Sequence, residues 1–158
     1  TLLAVSIPNC YGQNDLSIVE TTKLKIGQAS LSDSKDQVKS EFGIPESTTT
    51  EYWEIGDKTV VNYIYGDSKL TFYNDHLISF DINTSGFVFK YDEKSFKVGD
   101  SIHNLSGLFP ISYEQRGEGQ ILVVFGFRKN GELVKSDAFL QIGYNSSDKI
   151  TYIREWTP

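Results

Sequence analysis

Ser101 has the sequence context that comes nearest to a reactive centre in this chain. It stands in the run Gly99-Asp100-Ser101-Ile102, and His103 follows two positions later. A nucleophilic serine needs a base within hydrogen-bond reach and donors for the developing oxyanion. Asp and Ser are also the residue types that cap helices, because their side chains accept from free backbone N–H groups. We expect the cap, since nothing else in the sequence completes a catalytic group.

The run around Ser101 resembles the Gly-Asp-Ser-Leu block of a hydrolase family in which the serine is the nucleophile. That family carries its serine near the start of a longer domain and supplies an Asp-x-x-His block near the end. No histidine follows His103 here. A small serine hydrolase is therefore the weakest of three functional hypotheses, and the chain is predicted not to be an enzyme.

Metal and cofactor sites are not indicated by the sequence. His76 and His103 are the only histidines, and neither stands in an H-x-x-x-H or His-carboxylate spacing. Cys10 is the only cysteine, which excludes a cluster of thiolate ligands. The glycine pair in Gly117-Glu118-Gly119 is acidic and lacks the Lys-Ser/Thr of a phosphate loop. No cofactor is predicted.

Aromatic side chains make up 13 % of the sequence and supply the candidate binding site. Large amphipathic rings on an open sheet are frequent anchors for a partner protein. Alternation along a strand turns Tyr73 away from the face that buries Leu70 and Phe72. The alternative is that the rings fill the core or a seam between two units. The predicted partner-binding residues are Tyr52, Trp53, Tyr63, Tyr65 and Tyr73.

Strands and short helices must position these side chains. Ser34 and Gln37 form a capping box that starts a helix, and Gly43 ends it. Val38 and Phe42 give that helix one apolar stripe. A second short helix is predicted from Asp100 or Ser101 to Leu108. Strands separated by Gly-Asp and Asn-Asp turns indicate antiparallel meanders, at residues 51–55, 59–65, 69–73, 76–82, 121–127, 139–144 and 150–156.

The second half of the sequence repeats the order of the first. Phe96-Lys97-Val98-Gly99 resembles Leu24-Lys25-Ile26-Gly27, 72 positions earlier, and Ile78 and Ile150 are also 72 positions apart. Two landmarks at one offset indicate an internal duplication, and coincidence among common hairpin patterns is the alternative. The predicted fold class is α+β, two tandem repeats, each a short helical layer packed on an antiparallel β-meander. The predicted divisions are a signal-peptide remnant (1–12), a lead-in (13–22) and two repeat units (23–85 and 86–158).

The order of glycine, short capped helix, Phe-Gly-x-Pro and a meander containing Leu70-Thr-Phe-Tyr-Asn-Asp-His-Leu77 resembles the SmpA/OmlA family of small bacterial outer-membrane lipoproteins. Two such units in tandem are similar to the β-lactamase inhibitory protein fold. The resemblance covers roughly residues 23–156. It implies a binding or scaffolding protein whose sheets form a surface that grips a partner protein.

The first twelve residues, Thr1 to Gly12, carry no charge and are mostly apolar or small. This pattern is typical of the tail of a secretory signal peptide, cut before Gln13, and an N-terminal apolar strand is the alternative. Cys10 then either leaves with the signal or carries a lipid anchor. The predicted localisation is exported, which includes the periplasm, the outer membrane and the medium.

Charge and hydropathy limit the classes of partner that the chain can bind. The net charge of −6 and the lack of a Lys/Arg cluster oppose nucleic-acid binding. No stretch approaches the roughly 20 apolar residues of a membrane span. The leading hypothesis is an exported, non-enzymatic protein-binding module of the bacterial cell envelope. It docks its partner through an open, aromatic-bearing sheet face. The alternative is a structural envelope lipoprotein that supports an assembly complex, with the anchor at Cys10.

Overall fold

Twelve strands and three short helical segments build the part of the chain that the computed structural model describes, residues 16–158. In chain order they are β1 (Ile18–Glu20), β2 (Lys25–Ile26), β3 (Ala29–Ser30), α1 (Lys35–Phe42), β4 (Ser47–Trp53), β5 (Lys58–Tyr65), β6 (Ser68–Tyr73), β7 (His76–Ile82), β8 (Phe89–Tyr91), β9 (Lys94–Phe96), a 3₁₀ helix (Ile102–Leu105), α2 (Pro110–Glu114), β10 (Gln120–Lys129), β11 (Glu132–Tyr144) and β12 (Ile150–Trp156).

Eight of the strands form one large mixed sheet in the order β1-β10-β11-β12-β7-β6-β5-β4. All neighbours are antiparallel except β1, which runs parallel to β10. The meander β4–β7 and the meander β10–β12 meet where β7 pairs with β12, at Ile82↔Ile153 and Asp81↔Arg154. Asn74 and Asp75 form the β6–β7 turn with φ of 46° and 67°, which is the conformation a two-residue hairpin requires.

A small sheet covers one face of the large one. Its order is β3-β2-β8-β9, so it pairs a strand near residue 25 with one near residue 90. The small sheet, the helices and the large sheet share one continuous hydrophobic core. We call the side of the large sheet that faces this core the core face, and its buried residues include Leu70, Phe72, Phe80, Ile82, Ile142 and Ile153.

Helix α1 confirms the capping prediction. The Ser34 hydroxyl accepts from the backbone N–H of Gln37, and the Gln37 side chain accepts from the backbone N–H of Ser34. Val38 is fully buried, and Gly43 ends the helix with φ of 82°. The two reciprocal bonds satisfy donors that a helix start otherwise leaves free.

The predicted fold class is wrong. The structure is mostly β, with 52 % strand and 12 % helix, and a large mixed sheet with a separate small sheet replaces two helix-covered meanders. The division near residues 83–86 separates neither sheet, because β2 pairs with β8 and β7 pairs with β12 across it. Residues 13–22, predicted as a lead-in, contain β1. The signal-peptide remnant and Cys10 lie outside the described residues.

The paired landmarks also occupy different places. Gly27 lies between β2 and β3, whereas Gly99 precedes the 3₁₀ helix. The backbone hydrogen bond of Gly99 instead matches that of Ser32. Both residues have positive φ, and the N–H of each donates 2.8 Å to a carbonyl, of Ile150 for Gly99 and of Leu77 for Ser32. A short local motif therefore occurs twice, but not at residues 72 positions apart.

A β-bulge in β7 decides which of two neighbouring apolar residues is buried. Phe72 pairs with Leu77 and Thr71 with Ser79, so Ile78 is the extra residue between them. Such an insertion moves the neighbouring side chain to the other side of the strand. Leu77 is consequently buried at 2 % exposure, while Ile78 is only half-buried.

Glu20 at the end of β1 is a buried carboxylate held by two cations. Arg128 Nη2 donates to its Oε1 at 2.9 Å, and Lys23 Nζ lies 3.3 Å from the same oxygen. The hydrogen bond from Arg128 is the main cause that holds the pKa of Glu20 below its ordinary value of 4.5, against the opposing effect of burial. The ion pair ties β1 to β10 beyond the three parallel register pairs.

The Glu20 ion pair should make the free energy of unfolding depend on pH. Because the folded-state pKa is lowered, its contribution is complete above the unfolded-state pKa and is lost as the pH falls through the folded-state value. We expect Glu20→Gln to be less stable than the parent chain at pH 7 and to approach it below pH 4.5. Urea unfolding of both chains at pH 7 and pH 3 measures this. An equal difference at the two pH values would contradict it.

Candidate binding face of the large sheet

The face of the large sheet opposite the core face is the candidate site, and we call it the open face. Cross-strand partners point to the same side of a sheet, so the register identifies its members. The pairs Trp53↔Lys58, Asn62↔Thr71, Lys69↔Asp81, Asp81↔Arg154 and Arg154↔Gln141 all lie on it. Within residues 16–158, the main core cluster packs the helices and the small sheet against the core face.

Trp53, Lys58 and Tyr73 form a group at one end of the open face. The Lys58 ammonium lies 5.3 Å from the centroid of the Trp53 ring and 5.3 Å from that of Tyr73. A cation over two rings restrains all three side chains. Tyr73 is 36 % exposed and Trp53 is half-buried. Two restrained, accessible aromatic rings therefore stand side by side near the β4 edge.

A row of polar side chains crosses β4, β5 and β6 on the open face. Asn62 Nδ2 donates to Glu51 Oε2 at 3.2 Å, and Thr71 Oγ1 donates to Asn62 Oδ1 at 2.7 Å. Lys69 Nζ lies 4.0 Å from Glu51 Oε2. Asn62 and Thr71 are almost fully buried at 3 % and 1 % exposure. Their mutual bonds satisfy polar groups that would otherwise be costly to bury.

The polar row continues on β12, β11 and β10. Arg154 Nε donates to Gln141 Oε1 at 2.5 Å, and Gln141 Nε2 donates to Gln120 Oε1. The Arg154 guanidinium also stacks 4.6 Å from the centroid of the Tyr152 ring. The open face thus has a hydrogen-bonded polar centre with fixed side chains.

A second aromatic group lies on β11 and β12, in the interior of the sheet. Trp156 is 39 % exposed and its ring centroid lies 5.6 Å from that of Phe139. Phe139 packs with Leu16 and Val124 in a small buried cluster. The open face therefore has exposed aromatic rings in two places, near the β4 edge and on the interior strand β12, and the polar residues Asn62 and Thr71 lie on the strands between them.

The five predicted partner-binding residues are divided between the two faces. Trp53 and Tyr73 lie on the open face, and the predicted orientation of Tyr73 away from Leu70 and Phe72 is confirmed. Tyr63 is buried at 4 % in the core, where its ring packs 4.7 Å from that of Phe72.

Tyr65 and Tyr52 also lie away from the open face. The half-buried Tyr65 packs against Phe42 and Phe87, and its hydroxyl donates to the carbonyl of Gly43 at 2.9 Å. Tyr52 alternates with Trp53 along β4, is 59 % exposed, and donates to Asp57 Oδ1 at 2.6 Å. That bond raises the pKa of the Tyr52 phenol.

Sequence reasoning missed Lys58, Gln141, Tyr152, Arg154 and Trp156. A signal for three of them was present, because Tyr152, Arg154 and Trp156 alternate along β12 with the buried Ile153. Such period-2 alternation marks the solvated face of a strand. Lys58 and Gln141 gave no comparable signal, since their partners are distant in sequence or in another strand.

Ser101 is a helix cap in the structure. Its hydroxyl accepts from the backbone N–H of His103 at 3.3 Å and thereby starts the 3₁₀ helix. The His103 ring has other partners: Nδ1 lies 2.5 Å from Tyr113 Oη, and Nε2 lies 3.3 Å from Asp148 Oδ2. Both ring nitrogens are engaged, so the imidazole is not placed as a base for Ser101. That the chain is not an enzyme stays a prediction.

The other histidine is also structural. His76 Nδ1 lies 2.9 Å from the carbonyl oxygen of Ser32 and supports the turn before α1. No group of three or more His, Cys, Asp or Glu side chains within residues 16–158 is arranged to hold a metal ion. In the same range, no helix has the length and apolar character needed to cross a bilayer.

Comparisons with known proteins give little similarity. No family model matches the sequence, and no curated protein matches it. An extracellular protein containing a SCP domain, from Bacillus anthracis str. Ames, is similar in structure with a TM-score of 0.40 and 6 % identity. The similarity covers 80 % of this chain, which spans 44 % of the length of that one. A TM-score of 0.40 is below the level at which two chains share a fold.

Proposed function

We propose that this chain is a non-enzymatic protein-binding module that docks a partner protein through the open face. The observation that carries the proposal is the group of Trp53, Lys58 and Tyr73, where a cation restrains two accessible rings on a solvated sheet. Restrained aromatic rings lose little side-chain entropy on binding, which makes them effective anchors. The uncharged, largely apolar stretch Thr1–Gly12 supports placing this module outside the cytoplasm, in the cell envelope or beyond it.

The composition of the open face favours a protein over a small ligand. Aromatic rings are exposed near the β4 edge and on β12, and hydrogen-bonded polar groups lie on the strands between them. Small-molecule sites are concave and bury most of the ligand, whereas a sheet face presents an extended surface. Asn62 and Thr71 bond each other, and Gln141 bonds Gln120 and Arg154. A partner that covers this part of the face therefore need not supply hydrogen bonds to them.

The test is site-specific crosslinking of the intact chain in an envelope extract. A photoreactive phenylalanine at position 73 is expected to capture a specific protein, and the same group at position 52 is not expected to capture that protein. The double variant Trp53→Ala/Tyr73→Ala should weaken binding of the captured protein by roughly 30-fold or more, as expected when hot-spot aromatics are removed. Tyr52→Ala is the matched control, because Tyr52 is an exposed tyrosine on β4 beside Trp53 but points away from the open face.

Thermal melting of each variant first establishes that it folds. Equal capture from positions 52 and 73 would contradict the proposal. Unchanged affinity of a folded Trp53→Ala/Tyr73→Ala chain would also contradict it.

A further inference from the structure

Strand β4 is a long, unprotected edge of the large sheet. It has seven residues, Ser47–Trp53, and pairs only with β5 among the described strands. Every residue from Ser47 to Tyr52 is exposed. An edge strand of this kind presents a row of free backbone N–H and C=O groups that another strand can pair with.

The other edges within residues 16–158 are short. The opposite edge of the large sheet, β1, has three residues, and the small-sheet edges β3 and β9 have two and three. Proteins usually protect an exposed edge with lysine, proline or a bulge. Strand β4 has none of these, because its sequence is STTTEYW and its register with β5 is regular. Its single charge is Glu51.

We propose that β4 pairs antiparallel with β4 of a second copy of this chain, about a two-fold axis at Thr50. An antiparallel two-fold axis passes between directly opposite residues, so a register centred on Thr50 aligns all seven residues of both strands. Ser47 then lies opposite Trp53 and Thr48 opposite Tyr52. Glu51 faces Thr49, so the one charge of the seven-residue ladder has no like charge opposite it. Just outside the ladder, Glu46 of each copy faces Glu54 of the other, and this repulsion between carboxylates opposes pairing.

Apolar side chains flank both ends of this edge and favour a second copy as the occupant. Ile44, just before β4, is 87 % exposed, and Ile55, just after it, is 89 % exposed. In the proposed register the end of the strand that carries Ile44 meets the end that carries Ile55, and the symmetry repeats this contact. Pairing thus removes from water the two most exposed large hydrophobic residues of residues 16–158.

The size of the interface implies a weak dimer. A seven-residue ladder with two apolar ends falls at the low end of specific interfaces, below roughly 1,200 Å² of total buried surface. The net charge of −6 on each copy opposes association. Since the two-fold axis is perpendicular to the sheet, the open faces of both copies lie on the same side of one continuous sheet.

The test combines sedimentation velocity with two matched lysine variants. The parent chain is expected to shift from monomer toward dimer as its concentration rises to about 1 mM, and added salt should favour the dimer by screening the acidic charge. Thr50→Lys places two lysines directly opposite each other and should weaken dimerisation about tenfold or more. Thr48→Lys, on the same face of the same strand, should change it only slightly because its lysine faces Tyr52.

Cysteine crosslinking tests the register. Directly opposite residues have Cα atoms about 4.5–5.5 Å apart, within the range of a disulfide. In a Cys10→Ser background, Thr50→Cys should form a covalent dimer under mild oxidation much faster than Thr48→Cys. A chain that stays monomeric to 1 mM overturns the proposal and leaves the edge to a strand of another protein. A dimer that responds equally to both lysines also overturns it.

Discussion

Replacing Phe89 by alanine is expected to lower the free energy of unfolding by about 3–5 kcal/mol. Phe89 lies on β8 of the small sheet and is fully buried. Its ring centroid is 5.3 Å from that of Phe80 on the large sheet and 5.5 Å from that of Phe96 beside it. Truncation therefore removes a large apolar side chain and leaves a cavity between the two sheets, where neither backbone can close it easily.

Urea unfolding, analysed with the same m value for both chains, measures the loss of unfolding free energy in Phe89→Ala. The melting temperature should fall by roughly 10 °C. The control is Phe127→Ala, another strand phenylalanine that is 43 % exposed. It should cost less than about 1 kcal/mol. If Phe89→Ala prevents folding, Phe89→Leu keeps the comparison measurable with a smaller loss. Equal costs at positions 89 and 127 would show that the sheets are not joined through this ring.

Gly143→Val is expected to be the next most costly change, at about 1–3 kcal/mol. A Cβ at this position would clash with the ring of Tyr152, which is the cross-strand partner of Gly143. The tyrosine ring covers the glycine and is itself stacked under Arg154. Valine would have to displace the ring and separate it from the guanidinium.

A double-mutant cycle distinguishes this cause from a general intolerance of substitution. In a Tyr152→Ala background the same Gly143→Val change should be nearly neutral, because valine favours strands and no ring opposes it. Gly86→Val is the control, since its Cβ would meet nothing within 4 Å. A Gly143→Val cost that is unchanged without the Tyr152 ring would rule out this steric explanation.

Local elements could be predicted from the sequence because their determinants are close together. The capping box of α1 needs only Ser34 and Gln37, and the hairpin at Asn74-Asp75 needs only two turn residues. Strands β7 and β12 were predicted with the bounds that the structure has. In each case the residues that decide the conformation lie within one element.

The assembly of the sheets could not be predicted in the same way. The pairing of β7 with β12 rests on two register pairs that are about 70 residues apart in the chain. No turn chemistry specifies such a non-local contact. Similarly, β1 has only three residues, and its parallel pairing with β10 is stabilised by the Glu20–Arg128 ion pair, whose members are distant in sequence.

The candidate site shows the limit of alternation as a guide. Alternation along a strand predicts that Tyr63 and Tyr65 share one face, but β5 carries large residues on both faces, so the pattern does not say which face is buried. The bulge at Ile78 added a second difficulty, because one extra residue exchanges the sides of its neighbours. The orientation of Tyr73 could be predicted, because Leu70 and Phe72 precede it on the same strand and identify the core face.

Because β2 pairs with β8, a chain that is cleaved between its two halves should stay assembled. Each half of the chain contributes strands to both sheets, and the two halves meet at β1–β10, β7–β12 and β2–β8. Breaking a peptide bond between residues 83 and 86 would therefore not separate two domains. The two fragments would remain joined by three β-ladders and a shared hydrophobic core. Proteolytic cleavage between residues 83 and 86 would therefore leave a single non-covalent complex.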